Sequence, residues 1–138
     1  MIEDGMQFDA ALKLAQDLGF AERNPAADIE GHDACRKICI LASLAFGKHV
    51  YPNFVHTEGI TEITLEDVKY AEAYNCVIKL IGRVKRLDDG KIDIIVAPMF
   101  VPNKSQLANI DYEFNGIMVR GDCTGDAVSY THLTLPTT

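Results

Sequence analysis

Two apolar runs in the second half of the chain constrain its fold most strongly. The segments CVIKLIGRVKRL and KIDIIVAPMFV lie on either side of Asp88-Asp89-Gly90. A short Asp-Gly turn between runs rich in Val and Ile is typical of a β-hairpin. The segment DYEFNGIMVRGDCTGDAVSY suggests another strand pair, about a turn from Gly121 to Gly125. The second half of the chain is therefore predicted to form an antiparallel sheet.

The first half of the chain shows helical periodicity instead. Residues 7 to 18 place apolar side chains on one face, and Gly19 is a suitable C-terminal stop. A second helix is expected from Ile29 to Phe46, with Asp28 as its N-terminal cap. Because this helix is apolar on every side after Lys37, it is predicted to be the buried centre of the domain.

A third helix is expected after Thr64, where Asp67 can complete a capping box. Helices come first and an antiparallel sheet second, which predicts the α+β class with helices packed on a mainly antiparallel sheet. The length of 138 residues fits a single domain that can bury a core.

The charge and the apolar runs of the chain exclude several classes of protein. The net charge of −7 argues against a general nucleic-acid binder, since phosphate contact requires clustered Lys and Arg. The one basic cluster falls in a predicted strand and is explained as surface charge: Lys79, Arg83, Lys85 and Arg86. No apolar run approaches the roughly 20 residues that span a bilayer, and no signal peptide is recognisable. No membrane partner is expected.

The four cysteines form no CxxC pair and have no metal-ligand spacing with histidine, so no metal site is expected. Cys35 and Cys39 are one helical turn apart, which suits small core side chains better than a disulfide. Without a signal peptide, the reducing cytoplasm is the expected location.

Charged residues concentrate in NPAADIEGHDACRK, residues 24 to 37. Asp33 and Lys37 are four residues apart and therefore share one side of a helix. The simpler interpretation is a surface ion pair worth about 0.5 kcal/mol. The alternative is that a lysine at the mouth of a buried helix is partly removed from water and serves in proton transfer. The histidines are expected to be surface or structural residues.

The same region also matches a longer pattern, AQDLGFAERNPAADIEGHDACRK, which closely resembles the signature of homoserine dehydrogenases. The matching positions are Ala15, Gly19, Phe20, Ala21, Asn24, Pro25, Asp28, Ile29, Gly31, Asp33 and Lys37. The similarity continues through ILASLAFG, EGI, ITLEDVKYAEAYN, VIKLIGRVKR, LANIDYEFNGIMVRGD and CTGD. It covers roughly residues 1 to 126.

The resemblance implies a reaction and roles for four residues. The family interconverts L-homoserine and L-aspartate 4-semialdehyde with NAD(P), in the biosynthesis of threonine, methionine and isoleucine. By resemblance, Lys37 is the acid–base group, and Asp33 hydrogen-bonds the reacting oxygen or tunes the lysine. Glu22 and Asp28 are implied to hold the substrate, with the substrate ammonium as the target of Glu22. A homodimer formed through the sheet is also implied.

The chain departs from the family pattern at both ends. The nucleotide-binding Rossmann domain that precedes this region in the family is missing, and no glycine-rich phosphate loop occurs, so no cofactor-binding residue is expected. Residues 127–138, which end in THLTLPTT, match nothing in the pattern and are predicted to be a foreign, poorly packed tail. Residues 1–126 are thus predicted to be a partial catalytic domain.

The predicted fragment is expected to have no dehydrogenase activity alone. Two further interpretations remain open. One is a module that serves only for dimerisation through its sheet, and the other is an amino-acid-binding module that lacks catalysis. The joint presence of Glu22, Asp33 and Lys37 favours the enzyme fragment.

Overall fold

The computed structural model describes residues 5–111 and 115–131. Its helices are α1 (Phe8–Asp17), α2 (Ala26–Ile29), α3 (His32–Phe46) and α4 (Leu65–Ala73). Its strands are β1 (His56–Thr57), β2 (Cys76–Arg86), β3 (Ile92–Pro102), β4 (Asn115–Gly121) and β5 (Gly125–Thr131). Short 3-10 helices occur at Pro52–Phe54 and Gln106–Asn109. The predicted α+β class is confirmed.

The main sheet has three strands in the order β1-β3-β2. β2 and β3 are antiparallel along their full length, and the predicted hairpin turn closes with Leu87 N–H donating to Lys91 O at 2.8 Å. Strand β1 runs parallel to β3, with His56 opposite Ile95 and Thr57 opposite Val96. The sheet is therefore mainly antiparallel, with one parallel edge that the sequence did not reveal.

The second sheet is the hairpin of β4 and β5, which pair from Asn115↔Thr131 to Gly121↔Gly125. It was predicted from the turn between the two strands. The predicted domain limit at residue 127 falls inside β5, so residues 127–131 pair with β4. Residues 132–138 lie outside the described residues, and the foreign origin of the tail stays a prediction.

The predicted helix from Ile29 to Phe46 is interrupted, and its predicted cap is wrong. Gly31 has a φ of +82°, in the left-handed region, which a continuous right-handed helix does not accommodate. The chain instead forms the four-residue α2, a break at Gly31, and α3. Asp28 lies inside α2 and does not cap α3, whose N-cap residue is Gly31.

Helix α3 is buried on one face only, so the prediction that it is surrounded by apolar packing is wrong. Its buried residues recur at helical spacing and are Cys35, Ile38, Cys39 and Ala42. Ile40 and Leu44 are 60% and 78% exposed. They lie on the opposite face, because successive residues turn by about 100° around the helix axis.

The core lies between the buried face of α3 and the three-stranded sheet. Val96 of β3 is fully buried and clusters with Cys35, Ile38, Cys39 and Val55. The helix lies close to β2 because Gly82 has no side chain. A Cβ at Gly82 would lie 3.0 Å from Ile38 Cβ. The face of α3 that carries Ile38 is therefore the face that packs on the sheet.

Two basic residues of β2 are paired. Lys79 Nζ donates to Ile110 O at 2.7 Å and lies 2.8 Å from Asp111 Oδ1, which ties the strand to the segment before β4. Arg83 pairs with Asp93 across the hairpin at 3.0 Å. These contacts agree with the interpretation of this cluster as strand surface charge.

Helix α4 begins with the predicted capping box, which is confirmed. Thr64 Oγ1 accepts a hydrogen bond from Asp67 N–H at 3.2 Å, and Thr64 N–H donates to Asp67 Oδ2 at 2.8 Å. The helix packs on β2 through Val68 and Ala71. The hydrogen bonds from the Thr64 hydroxyl and backbone hold the pKa of Asp67 below its usual value of 3.8.

Replacement of Asp67 is expected to lower stability in a pH-dependent way. The pKa of Asp67 is lower in the folded state than in the unfolded state. Its contribution to the free energy of unfolding is therefore present above pH 3.8 and is lost as the pH falls through the folded-state pKa. Asp67→Asn should therefore lower the Tm at neutral pH, and the difference from wild type should vanish in acid. Thermal unfolding by circular dichroism measures this. Glu66→Gln, one residue away in the same turn, is the control, and an equal effect there would contradict the capping account.

Candidate active site

The structure brings two of the four predicted site residues together. Lys37 Nζ lies 2.7 Å from Asp33 Oδ2, one helical turn away on α3. The Lys37 side chain is 53% exposed and that of Asp33 is 42% exposed. The pair lies on the same outward face as Ile40 and Leu44. Lys37 is therefore on an open face and not at the mouth of a helix buried all round.

Glu22 and Asp28 lie on the segment that precedes α3. Glu22 is exposed in the loop after α1, and the loop is held by Gln16, whose Nε2 donates to Glu22 O at 2.9 Å. Asp28 is exposed on α2, which packs against α3. In the described part of the chain, neither carboxylate forms an ion pair with Lys37.

An open cleft of about 370 Å³ lies on another flank of α3. It is lined by His32, Cys35, Arg36, Pro52, Asn53, Val55 and Thr57. None of the four predicted site residues lines it. The candidate site is therefore the outward face of α3 with the preceding loop, and it is separate from this cleft.

The buried cysteines and two of the histidines, His32 and His56, behave as predicted. Burial, followed by the neighbouring Cys35 thiol, raises the pKa of Cys39 to about 11, so Cys39 stays protonated at neutral pH. His32 and His56 are exposed and pair with Glu30 at 2.9 Å and with Glu58 at 2.7 Å. Cys35 and Cys39 are therefore thiols of the core, and His32 and His56 are imidazoles on the surface.

The described residues do not form the glycine-rich turn by which a Rossmann fold binds a dinucleotide cofactor. Among residues 5–111 and 115–131, the passage from a strand into an α-helix runs from β1 to α4 through residues 58–64, which include one glycine. A dinucleotide site requires a glycine-rich turn there, with a parallel sheet around it. Within the same ranges, no three His, Cys, Asp or Glu side chains converge as metal ligands. None of the described helices is long and apolar enough to cross a membrane.

One structural feature near the site escaped the sequence analysis. The segment Glu58-Gly59-Ile60 after β1 crosses the junction between α2 and α3, and Ile60 N–H donates to Ile29 O at 2.7 Å. The sequence carried one indication of this contact, the two glycines Gly31 and Gly59, which lie in segments that resemble the family. Sequence alone does not show that they meet.

Comparison with known proteins agrees with this architecture. The family model for homoserine dehydrogenase matches residues 1–133. Homoserine dehydrogenases of Bacillus subtilis (strain 168) and Pseudomonas aeruginosa are each 40% identical over 130 residues, which are 94% of this chain and 30% of each relative. The chain thus spans less than a third of the length of these curated relatives.

Solved structures show the same relationship. A homoserine dehydrogenase from Thiobacillus denitrificans superposes with a TM-score of 0.91 and 41% identity, covering 95% of this chain and 30% of that one. The homoserine dehydrogenase of S. aureus at pH 7.5 superposes with a TM-score of 0.90 and 39% identity, and the match covers 94% of this chain and 32% of that one. This chain shares both its fold and its sequence with one family of enzymes. It belongs to the homoserine dehydrogenase family, which confirms the resemblance found in the sequence.

Proposed function

We propose that this chain is the substrate-binding part of an enzyme that interconverts L-homoserine and L-aspartate 4-semialdehyde with NAD(P). The observation that carries the proposal is the Asp33–Lys37 pair, 2.7 Å apart on an open face of α3. This pair lies in the segment that resembles the family signature. A rigid helix is a suitable element for holding such a pair against a substrate.

Lys37 is proposed as the acid–base group of the reaction. A protonated amine within hydrogen-bond reach of the aldehyde oxygen can give it a proton as the carbonyl is reduced, and the neutral amine can take a proton from the alcohol in the reverse direction. Asp33 would orient the Nζ of Lys37 through their ion pair. Proton transfer is the part of the reaction that the described residues can serve.

Glu22 and Asp28 are proposed to hold the substrate. Homoserine carries an ammonium group, and exposed carboxylates in the segment before α3 provide an anionic receptor for it. Glu22 lies in the loop after α1 and Asp28 lies on α2, and neither forms an ion pair within the described part of the chain. Glu22 is assigned to the ammonium group, and a charge-assisted hydrogen bond there would contribute about 1.5–3 kcal/mol.

Two further properties belong to the same proposal. The 138-residue chain is proposed to be inactive as a dehydrogenase alone, because its described residues do not form the glycine-rich turn by which a Rossmann fold binds a dinucleotide. It is also proposed to form a homodimer in the cytoplasm through its sheet. The exposed Ile117, Met118 and Val119 of β4 provide apolar surface that a second copy could cover. The alternative function is amino-acid binding without catalysis.

Calorimetric titration with L-homoserine tests the substrate site. We expect saturable binding that Glu22→Gln weakens about tenfold, since the substitution removes the charge that pairs with the ammonium group. Glu66→Gln on α4 is the matched control and should bind as wild type does. Equal binding by Glu22→Gln and wild type would contradict the assignment.

A second assay separates the enzyme fragment from the alternative. NADPH-dependent reduction of L-aspartate 4-semialdehyde by the chain should not exceed that of Lys37→Ala. A higher rate for the wild type would contradict the proposed inactivity. If the chain binds homoserine and neither Asp33→Asn nor Lys37→Ala changes the affinity, the result would favour the amino-acid-binding module.

A further inference from the structure

The junction between α2 and α3 is held in a backbone crossing that contains two glycines. We call residues 29–31 and 58–60 the glycine crossing. Gly31 has a φ of +82° and faces the end of β1. A Cβ at Gly31 would lie 3.2 Å from Thr57 Cγ2, 3.3 Å from Glu58 O and 3.3 Å from Val96 Cγ1. Gly31 thus combines a left-handed turn with a site that has almost no room for a side chain.

The second glycine of the crossing is more tightly enclosed. A Cβ at Gly59 would overlap the carbonyl oxygen of Ile29 and would lie 2.5 Å from Glu30 Cα. Both obstructing atoms belong to the backbone, so no change of rotamer could relieve the overlap. The hydrogen bond from Ile60 N–H to Ile29 O, at 2.7 Å, holds the two segments at this separation.

The glycine crossing is anchored to the most buried part of the sheet. Glu58 N–H donates to Val96 O at 2.8 Å, and Thr57 lies opposite Val96 in the parallel register. Val96 is fully buried. The α2–α3 junction therefore has a defined position relative to the core, even though α2 is only four residues long.

The glycine crossing separates the two halves of the proposed site. Asp28 lies on α2, three residues before Gly31, and Asp33 lies on α3, two residues after it. Any shift at Gly31 would change the position of Asp28 relative to the Asp33–Lys37 pair. Because a displacement of about 1 Å can strongly weaken a positioned site, the separation at this junction should control substrate affinity.

We infer that Gly31 and Gly59 are positioning residues, which set the geometry between the substrate-binding carboxylate of α2 and the acid–base pair of α3. They act through the backbone and touch no substrate. This inference rests on the proposed function for its consequence in homoserine binding. The geometry of the crossing can be measured independently of it.

Gly90 provides a matched control for Gly31. It also has a positive φ, +79°, but an added Cβ there would meet no atom within 4 Å. Alanine at either position imposes similar backbone strain, and only Gly31→Ala adds crowding at the crossing. A difference between the two variants therefore measures the effect of crowding at the glycine crossing.

The experiment compares wild type, Gly31→Ala, Gly90→Ala and Gly31→Ala/Thr57→Ser. For each chain, Tm is measured, and the Kd for L-homoserine is measured below that temperature. Residual dipolar couplings give the orientation of residues 24–29 relative to α3. We expect Gly90→Ala to lower Tm without changing Kd or the orientation. Gly31→Ala should raise Kd about tenfold and change the orientation.

The double variant removes the Thr57 methyl group that the Cβ introduced by Gly31→Ala would meet first, so it should recover part of the affinity. If Gly31 contributed only to stability, Gly31→Ala would lower Tm and leave the Kd of the folded protein for homoserine unchanged. A folded Gly31→Ala chain with the Kd and the orientation of wild type would overturn the inference. The inference would also be overturned if Gly31→Ala stays unfolded while Gly31→Ala/Thr57→Ser folds and binds homoserine as wild type does.

If wild type itself fails to bind homoserine, the proposed function is overturned, and the couplings alone decide whether Gly31 sets the α2–α3 geometry at the glycine crossing. In that case an orientation change in Gly31→Ala but not in Gly90→Ala would support its positioning role. Unchanged couplings in both variants would overturn it.

Discussion

A Val96→Asp variant is expected not to fold. Val96 is fully buried in β3 and packs in the cluster with Cys35, Ile38 and Val55. A carboxylate there would lose its hydration without gaining a partner, at a cost of several kcal/mol. That cost is comparable to the stability of a typical domain, about 5–15 kcal/mol. Amide chemical-shift dispersion and a cooperative thermal transition should both be lost.

The control for this experiment is Tyr70→Asp. Tyr70 lies in helix α4 and is 57% exposed, so a carboxylate there remains hydrated. This variant should retain a cooperative transition. A folded Val96→Asp chain with a Tm near that of Tyr70→Asp would contradict the position of the core between α3 and the main sheet.

Replacing Ile38 by alanine should destabilise the chain by about 2–5 kcal/mol, because it leaves a cavity beneath the helix. Ile38 is 8% exposed and packs directly over Gly82 of β2. Urea unfolding of wild type and variant, analysed with a common m value, measures the difference in the free energy of unfolding.

Ile40→Ala is the matched comparison, two residues further along α3. Ile40 is 60% exposed, and alanine has a higher helix propensity than isoleucine, so the change should stay within about 0.5 kcal/mol of wild type. Equal losses for the two variants would mean that both faces of α3 are covered in solution. In that case an interface between copies would have to bury Ile40.

Local features of the fold were predictable from the sequence. The hairpin about Asp88-Asp89-Gly90 and the capping box of Thr64 and Asp67 depend on residues that are close in sequence, so their chemistry is visible there. Strand β1 was not predictable. It has two residues and exists only because β3 lies beside it.

The break at Gly31 and the exposure of α3 depend on contacts between distant residues. A glycine inside a predicted helix does not by itself predict a break, and only the fold shows the left-handed φ at Gly31 and the close approach of Thr57, Glu58 and Val96. In the same way, an apolar composition cannot show which side of α3 is covered, since this depends on the distant sheet, which approaches the helix closely at Gly82 of β2. Both errors in the sequence analysis have this origin.

The candidate site was predictable only in part. The Asp33–Lys37 pair follows from their spacing of four residues on a helix, and the structure shows the ion pair directly. The roles of Glu22 and Asp28 came from the family resemblance, because a loop carboxylate carries no spacing signal of its own. The glycine crossing required the fold, since its two halves are almost thirty residues apart.

The most direct test of the account is a titration of the ¹⁵N-labelled chain with L-homoserine, followed by amide chemical shifts. We expect saturable shifts centred on residues 22–37, with residues 87–91 of the distant hairpin turn unchanged. Lys37→Ala and Glu22→Gln should reduce these shifts at the same ligand concentration. Saturable shifts confined to another surface, or no shifts at millimolar homoserine, would contradict the placement of a substrate site on the outward face of α3.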